Sequence, residues 1–199
     1  EPAGTMSSAR LFLSLQPLPE GRVLAIGGDP EGTSEVFDPE DGSWGSLAYM
    51  SSERYGASSA ALEDGRILSA GGISDESVLS SAEVYSSEDD VWTEADAMSV
   101  PRAEFGLAVI PGGRAVATGS WSSLGASDAT ESMCSDQLTW RDEDPMSVQR
   151  GRHGTAVTAN GTACEDGRAG EMIEVTVQGR SGRLRARVED GRTVAVQVD

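Results

Sequence analysis

Histidine and cysteine, two residue types often used in acid–base, nucleophilic and metal chemistry, are few in this 199-residue chain. His153 is the one histidine, and Cys134 and Cys164 are the two cysteines. No G-x-S-x-G motif marks a nucleophile, and the cysteines and histidine lack the C-x-x-C or H-x-x-x-H spacing of a zinc site. The acidic clusters do not follow the D-x-D-x-D-G pattern of a calcium loop. We therefore expect no catalytic residue, no metal and no cofactor, and two buried free thiols.

Arginine is the other residue type with binding chemistry to offer, and four arginines recur in register. Arg54, Arg102 and Arg150 are 48 residues apart, and Arg10 precedes Arg54 by 44. Each ends a short motif that begins with Met: MSSAR, MSSER, MSVPR and MSVQR. A guanidinium group forms strong, often bidentate hydrogen bonds with carboxylates. Side by side, the four would bind an acidic peptide; hydrogen bonding between neighbouring repeats is the structural alternative.

The same spacing extends to other residue types, so most of the chain, residues 6–167, is organised as repeats. Trp44, Trp92 and Trp140 are also 48 residues apart. Each unit contains four short apolar runs bounded by Gly, Asp, Ser and Pro, which is typical of β-strands joined by turns. A period of 40 to 50 residues with four strands predicts the antiparallel blades of a β-propeller.

Three features of these units match the pattern of one family. A Gly-Gly pair ends the second strand, an aromatic residue of the third strand precedes a fourth-strand Trp by seven residues, and an Arg opens the next unit. These framework residues are Gly27, Gly28, Phe37 and Trp44 in the first unit, Gly71, Gly72, Tyr85 and Trp92 in the second, and Trp140 in the third. On these motifs residues 6–167 resemble kelch repeats. The third unit departs from the pattern, with Thr118-Gly119 and Met133 at the glycine and aromatic positions.

The framework residues have structural roles in the first instance. The glycines permit positive φ and a close approach of neighbouring backbones, and the aromatic pairs pack against the adjacent blade. Glu35, Glu83 and Glu131 recur close to the aromatic position, which indicates a shared hydrogen-bonding role. We expect Trp44 and Trp92 to be largely buried.

The resemblance predicts an all-β, kelch-type propeller segment of about four antiparallel blades that form an incomplete ring. The predicted units are 6–50, 51–98, 99–146 and a partial repeat at 147–167. An incomplete ring has three possible explanations: the chain is a fragment, several chains complete one ring, or the tail supplies the missing strands.

Residues 168–199 differ from the rest of the chain. Residues 1–167 hold nine Arg and 28 acidic residues, whereas residues 168–199 hold six and five. Apolar residues alternate with polar ones in three runs of the tail, which predicts a three-stranded antiparallel meander. It either completes the fourth blade or forms an appendage that weakly resembles a Tudor-like or SH3-like barrel segment.

Loops between second and third strands are where kelch proteins usually bind their partners. These loops are predicted at 29–33, 73–81 and 120–129, and Trp121 in the last one does not follow the 48-residue spacing. An exposed aromatic on a loop is a good candidate for a binding hot spot, and we expect Trp121 to be more exposed than the framework tryptophans. The predicted function is noncatalytic binding of a protein or an acidic peptide through Arg10, Arg54, Arg102, Arg150 and Trp121. The alternative is a fragment of a kelch-type, carbohydrate-directed enzyme whose catalytic residues lie outside this chain.

Composition limits the choice of partner. The formal net charge is −18, which argues against binding to nucleic acid or an anionic membrane because like charges repel. No apolar stretch approaches the ~18 residues of a membrane span. We expect a soluble protein, with an intracellular location favoured over secretion, and self-association as one way to complete the ring.

Overall fold

A computed structural model describes residues 4–74, 77–122 and 125–147, together with strands at 172–176, 183–188 and 194–197. Apart from one 3₁₀ turn at Pro19–Gly21, the regular structure of these residues is β-strand. The strands form three four-stranded antiparallel sheets and one three-stranded sheet. In each four-stranded sheet the strands pair in chain order, as in the predicted blades. The all-β, propeller-type fold class is therefore confirmed.

The three four-stranded sheets are called blades 1, 2 and 3. Blade 1 consists of β1 (Ser14–Pro17), β2 (Val23–Ile26), β3 (Ser34–Asp38) and β4 (Ser43–Ser46). Blade 2 consists of β5 (Ser58–Ala61), β6 (Ile67–Ala70), β7 (Ala82–Ser86) and β8 (Val91–Ala95). Blade 3 consists of β9 (Gly106–Ile110), β10 (Arg114–Ser122), β11 (Gly125–Cys134) and β12 (Trp140–Glu143).

Strand register explains why the aromatic and Trp of a repeat lie together. Phe37 of β3 is directly opposite Trp44 of β4, and Tyr85 of β7 is directly opposite Trp92 of β8. Directly opposed residues share one face of an antiparallel pair. The ring centroids are 5.3 Å apart in blade 1 and 5.2 Å apart in blade 2. The seven-residue spacing in the sequence therefore encodes one cross-strand pair.

The apolar core lies between blades rather than inside any one of them. One cluster joins Leu24, Ile26 and Met50 to Tyr85 and Trp92, so it connects blade 1 with blade 2. A second cluster connects blades 2 and 3, and its buried residues include Leu68, Val84, Met98, Phe105 and Met133. Each blade thus depends on its neighbours for burial, as in other repeat architectures.

The third blade contains a long hairpin where the sequence predicted a loop. Strands β10 and β11 remain paired beyond Thr118, and Trp121 lies opposite Ala126. The prediction that 120–129 is a loop is wrong, because β10 and β11 resume pairing after an irregularity between Thr118 and Ser120. Trp121 is consequently a half-buried strand residue.

Trp92 is buried as predicted, with 9% of its surface exposed. Trp44 is also mostly buried, as predicted, although less completely than Trp92. The physical reason is position: Trp92 packs against blade 1, whereas Trp44 lies on the face of blade 1 that points away from blade 2.

The tail contains the predicted meander. Strands β13 (Met172–Thr176), β14 (Arg183–Val188) and β15 (Val194–Gln197) pair antiparallel in chain order. The unit boundaries predicted from the sequence, and the choice between a fourth blade and an appendage, stay predictions. No helix long and apolar enough to cross a membrane occurs in the described part of the chain.

Candidate functional site

The recurrent arginine of blade 2 is buried and bonded to the strand ends of its own blade. The Arg54 guanidinium donates from Nη2 to Oε1 of Glu83 at 2.9 Å, and Nη1 donates to the carbonyls of Gly71 and Ser81, each at 2.9 Å. Gly71 directly follows β6 and Ser81 directly precedes β7, so the side chain closes the connection between these two strands. The Arg54 side chain has no exposed surface.

Blades 1 and 3 repeat this arrangement with equivalent residues. Arg10 bonds to Glu35, Gly27 and Thr33 in blade 1. Arg102 bonds to Glu131, Gly119 and Ala129 in blade 3. The Nη2–Oε1 distances are 2.7 Å and 2.8 Å, and both Arg side chains are fully buried. Each of these Arg–Glu units is called a staple below.

The second carboxylate oxygen of each glutamate binds the chain that leads into the blade. Oε2 of Glu35, Glu83 and Glu131 accepts a backbone N–H three residues before the staple arginine, from Ser7, Ser51 and Ser99. The predicted shared hydrogen-bonding role of these glutamates is confirmed. Burial raises the pKa of Glu35, but the Ser7 N–H and the Arg10 guanidinium outweigh it and hold that pKa below its usual value.

The backbone of each staple arginine also connects two blades. Gly28 of blade 1 donates its N–H to the Arg54 carbonyl at 2.9 Å, and Gly72 of blade 2 donates to the Arg102 carbonyl at 2.7 Å. The preceding glycines have φ of 62° at Gly27 and 63° at Gly71. A Cβ on either would collide with the same carbonyl. The Gly-Gly pair is therefore required by close approach between blades.

Burial of the staples removes the arginines from the accessible surface. Arg10, Arg54 and Arg102 already bond to carboxylate and carbonyl groups of their own blades, so a docking peptide would meet no accessible guanidinium there. This geometry does not support the predicted arc of arginines that binds an acidic peptide. The physical reason is that the glutamate of each staple already forms the carboxylate–guanidinium bonds that a bound acidic peptide would otherwise form. Arg150 lies outside the described residues.

Trp92 and Trp140 differ in the partner of the indole N–H. Trp92 donates to the Ser34 hydroxyl of blade 1 at 3.2 Å, which ties the two blades together. The indole nitrogen of Trp140 is buried with no hydrogen-bond partner. Strand register places Ala82 of blade 2 where blade 1 has Ser34, since they lie opposite Ala70 and Ile26 respectively. Alanine offers no side-chain acceptor.

A continuous backbone ladder runs across the edge of the blades that carries the loops between second and third strands. Gly56 donates its N–H to the Phe12 carbonyl at 3.0 Å, and Glu104 donates to the Gly56 carbonyl at 2.9 Å. Trp121 donates to the Ala103 carbonyl at 2.8 Å. This ladder, comprising Leu11, Phe12, Tyr55, Gly56, Ala103, Glu104 and Trp121, is called the loop edge.

Two large apolar side chains of the loop edge are exposed to solvent. Leu11 is 67% exposed and Phe12 is 68% exposed. Phe12 also has a φ of 53°, in the left-handed region that glycine favours, and the equivalent residue of blade 2 is Gly56 with a φ of 63°. Sequence reasoning missed both residues. The available signal was Phe12 standing two residues after its staple arginine, where Gly56 stands two residues after Arg54.

The described part of the chain holds no group of His, Cys, Asp and Glu side chains that is suited to a metal ion. Cys134 is a buried free thiol at the end of β11. His153 and Cys164 lie outside the described residues.

Comparison with known families identifies one unit of the chain. A family model described as the Kelch motif matches residues 53–99, which contain the staple arginine and all four strands of blade 2. None of the curated proteins compared with the chain is similar enough in sequence to count as a match. The chain therefore contains a kelch-repeat segment, and its fold is the one expected for kelch blades.

Proposed function

We propose that this kelch-repeat segment is a noncatalytic scaffold that binds a protein or peptide segment at its loop edge. The observation that carries the proposal is the exposure of Leu11 and Phe12 beside half-buried Tyr55 and Trp121 on one hydrogen-bonded ladder. Large apolar side chains that line one rigid surface are typical anchors of protein interfaces.

The staples give this surface its rigidity. Each staple fixes the chain that leads into a blade and the connection between the second and third strands of that blade. A preorganised surface loses less conformational entropy on binding than a flexible one. The positive φ of Phe12 recurs at Gly56 and Glu104, the equivalent residues of blades 2 and 3, so it belongs to the backbone of the repeat.

The partner we propose carries apolar or aromatic side chains and no requirement for acidic groups. This differs from the acidic peptide predicted from the sequence, since the arginines that suggested it are buried in staples. The enzyme alternative has no observation in its favour among the described residues.

Peptide selection on the immobilised chain tests the proposal. Peptides from a random library are enriched and their dissociation constants measured by calorimetry for the parent chain and for Phe12→Gly. Glycine suits this backbone, as Gly56 shows at the equivalent position, so we expect unchanged or raised thermal stability. Loss of the aromatic contact should weaken binding about tenfold or more.

Val91→Ser is the matched control, because Val91 is 44% exposed on β8 and lies outside the loop edge. We expect it to leave peptide affinity unchanged. Enrichment of no peptide would contradict the scaffold proposal. Binding that survives Phe12→Gly but falls with Val91→Ser would show that the site is elsewhere.

A further inference from the structure

Gly56 interrupts a row of equivalent side chains along the loop edge. Phe12, Gly56 and Glu104 each stand two residues after the staple arginine of their own blade. Their φ angles are alike, at 53°, 63° and 49°. The ladder bonds the backbone of Gly56 to Phe12 on one side and to Glu104 on the other. The row therefore lacks one side chain, between an aromatic residue and an acidic one.

The two neighbours of Gly56 offer different chemistry. Phe12 is 68% exposed, so its ring is accessible to a partner. Glu104 is partly exposed, and its Cγ lies 3.3 Å from the position that a Cβ on Gly56 would take. The Glu104 side chain thus lies over the Gly56 step of the ladder. The place bordered by Phe12, Gly56 and Glu104 is called the Gly56 gap.

Further carboxylates lie at the same end of the blades. Glu31 is exposed, and Glu53 is partly exposed. Glu31 belongs to the connection between β2 and β3, and a Cβ on the next residue, Gly32, would collide with the backbone of Ser52 and Glu53. These two acidic residues therefore come from neighbouring segments of the loop-edge end. Carboxylates that line one surface attract a positively charged partner.

The arginines of the three blades do not balance this charge at the loop edge. The chain contains no lysine. Arg10, Arg54 and Arg102 are buried in staples with their own carboxylates. The other arginines of the blades lie at the starts of second and fourth strands, at the opposite end; they are Arg22, Arg66, Arg114 and Arg141. A cationic group that approaches the loop edge therefore meets carboxylates and no accessible guanidinium of the three blades.

We propose that the partner bound at the loop edge places an arginine side chain in the Gly56 gap, between Phe12 and Glu104. This inference rests on the binding function proposed above and specifies the chemistry of the partner. A guanidinium stacks on an aromatic ring and binds a carboxylate through a fork of N–H donors, so it suits both neighbours of the gap. An apolar residue beside this arginine contacts the exposed Leu11. The partner is thus a basic and apolar segment, opposite in charge to the acidic peptide predicted from the sequence.

The sequences of peptides selected from the random library on the full chain give the first test. We expect the enriched peptides to contain arginine, more often than lysine, next to an aromatic or aliphatic residue. They should be depleted of Asp and Glu. Their affinity should fall when NaCl is raised from about 50 mM to about 500 mM, because salt screens the exposed charges that attract the peptide.

Exchange of one residue on each side of the contact gives the second test. Calorimetry compares the best peptide with the same peptide carrying glutamine in place of its arginine. On the parent chain this exchange should weaken binding about tenfold. Glu104→Gln should weaken binding of the arginine peptide about threefold and leave the glutamine peptide unaffected, because only the arginine uses the carboxylate.

Two further variants separate the ring and the local carboxylate from general effects. Phe12→Leu keeps an apolar contact but removes the ring, so it should weaken the arginine peptide more than the glutamine peptide. Glu88→Gln removes an equal charge from an exposed residue in the turn between β7 and β8, at the opposite end of blade 2. This matched control should leave the dissociation constants of both peptides unchanged.

The outcomes distinguish failure of this inference from failure of the proposed function. If no peptide is enriched, the scaffold proposal and the arginine site fail together. If enriched peptides lose affinity with Phe12→Gly but carry no arginine, or bind Glu104→Gln as tightly as the parent chain, binding at the loop edge stands and the arginine site is overturned. Equal weakening by Glu88→Gln would also overturn it, because net charge rather than Glu104 would then set the affinity.

Discussion

Blades 1 and 2 share one sequence pattern, yet their equivalent residues have different surroundings. The staples are alike: Arg10 and Arg54 are both fully buried and bonded to a glutamate of their own blade. The aromatic pairs are not, since Tyr85 and Trp92 are buried while Phe37 and Trp44 are only partly buried. The staple forms in the same way in both blades. The burial of a blade's aromatic pair depends instead on which neighbouring blade packs against it.

Loss of a staple arginine is the largest effect that this comparison predicts. Arg54→Ala leaves the buried carboxylate of Glu83 without its cation, which costs about 3–5 kcal/mol of the free energy of unfolding. Arg10→Ala should cost about as much, because its staple also lies within one blade. Urea unfolding measures both. Arg66→Ala is the control, since Arg66 is one-third exposed and pairs with Asp64 at the surface. If only Arg54→Ala lowered the free energy of unfolding by this amount, the staples of the two blades would not be equivalent.

The aromatic pairs should respond unequally. Trp92→Ala removes a buried side chain from the core between blades 1 and 2 and should cost about 3–5 kcal/mol. Trp44→Ala removes a less completely buried one and should cost about half as much. Thermal melts of both variants test the difference. Equal losses of stability would show that Trp44 is packed as tightly as Trp92.

The indole hydrogen bonds offer a smaller and reciprocal test. Ser34→Ala takes the acceptor from the buried Trp92 N–H and should cost about 1–3 kcal/mol. Ala82→Ser supplies an acceptor at the equivalent position next to Trp140 and should gain about 0.5–1.5 kcal/mol. Urea midpoints of the two single variants measure these shifts. Destabilisation by Ala82→Ser would mean that the hydroxyl cannot reach the indole.

The smallest expected effect is a pH dependence that comes from Glu35. Its pKa is lower in the folded chain than the usual value, so its contribution to stability is complete above the unfolded-state pKa, near 4.5. That contribution is lost as the pH falls through the folded-state value. Unfolding free energies between pH 6 and pH 3 should therefore decline less steeply for Glu35→Gln than for the parent chain. Identical slopes would contradict the assignment.

Much of the fold could be predicted from the sequence, because its signals are local. The seven-residue spacing from Tyr85 to Trp92 specifies a cross-strand pair, and the Gly-Gly pairs specify positive φ and close approach. The extra length of the β10–β11 hairpin was missed, since residues 120–129 have the polar composition of a loop and gain strand structure only by pairing.

The candidate site was harder to predict than the fold. A recurrent arginine on an acidic chain looks the same in sequence whether it faces solvent or an internal glutamate. Glu83 lies 29 residues after Arg54, and only the folded blade brings the two together. The exposure of Phe12 likewise depends on the ladder it joins, which crosses from one blade to the next.

The staples determine how the stability of this protein depends on ionic strength. They keep Arg10, Arg54 and Arg102 inside the blades, together with their carboxylates, in a chain whose formal net charge is −18. Dissolved ions screen exposed charges far more effectively than buried pairs. Salt therefore relieves the mutual repulsion of the acidic surface and leaves the internal pairs nearly untouched. A protein rich in ion pairs is in this case stabilised, rather than weakened, by rising ionic strength.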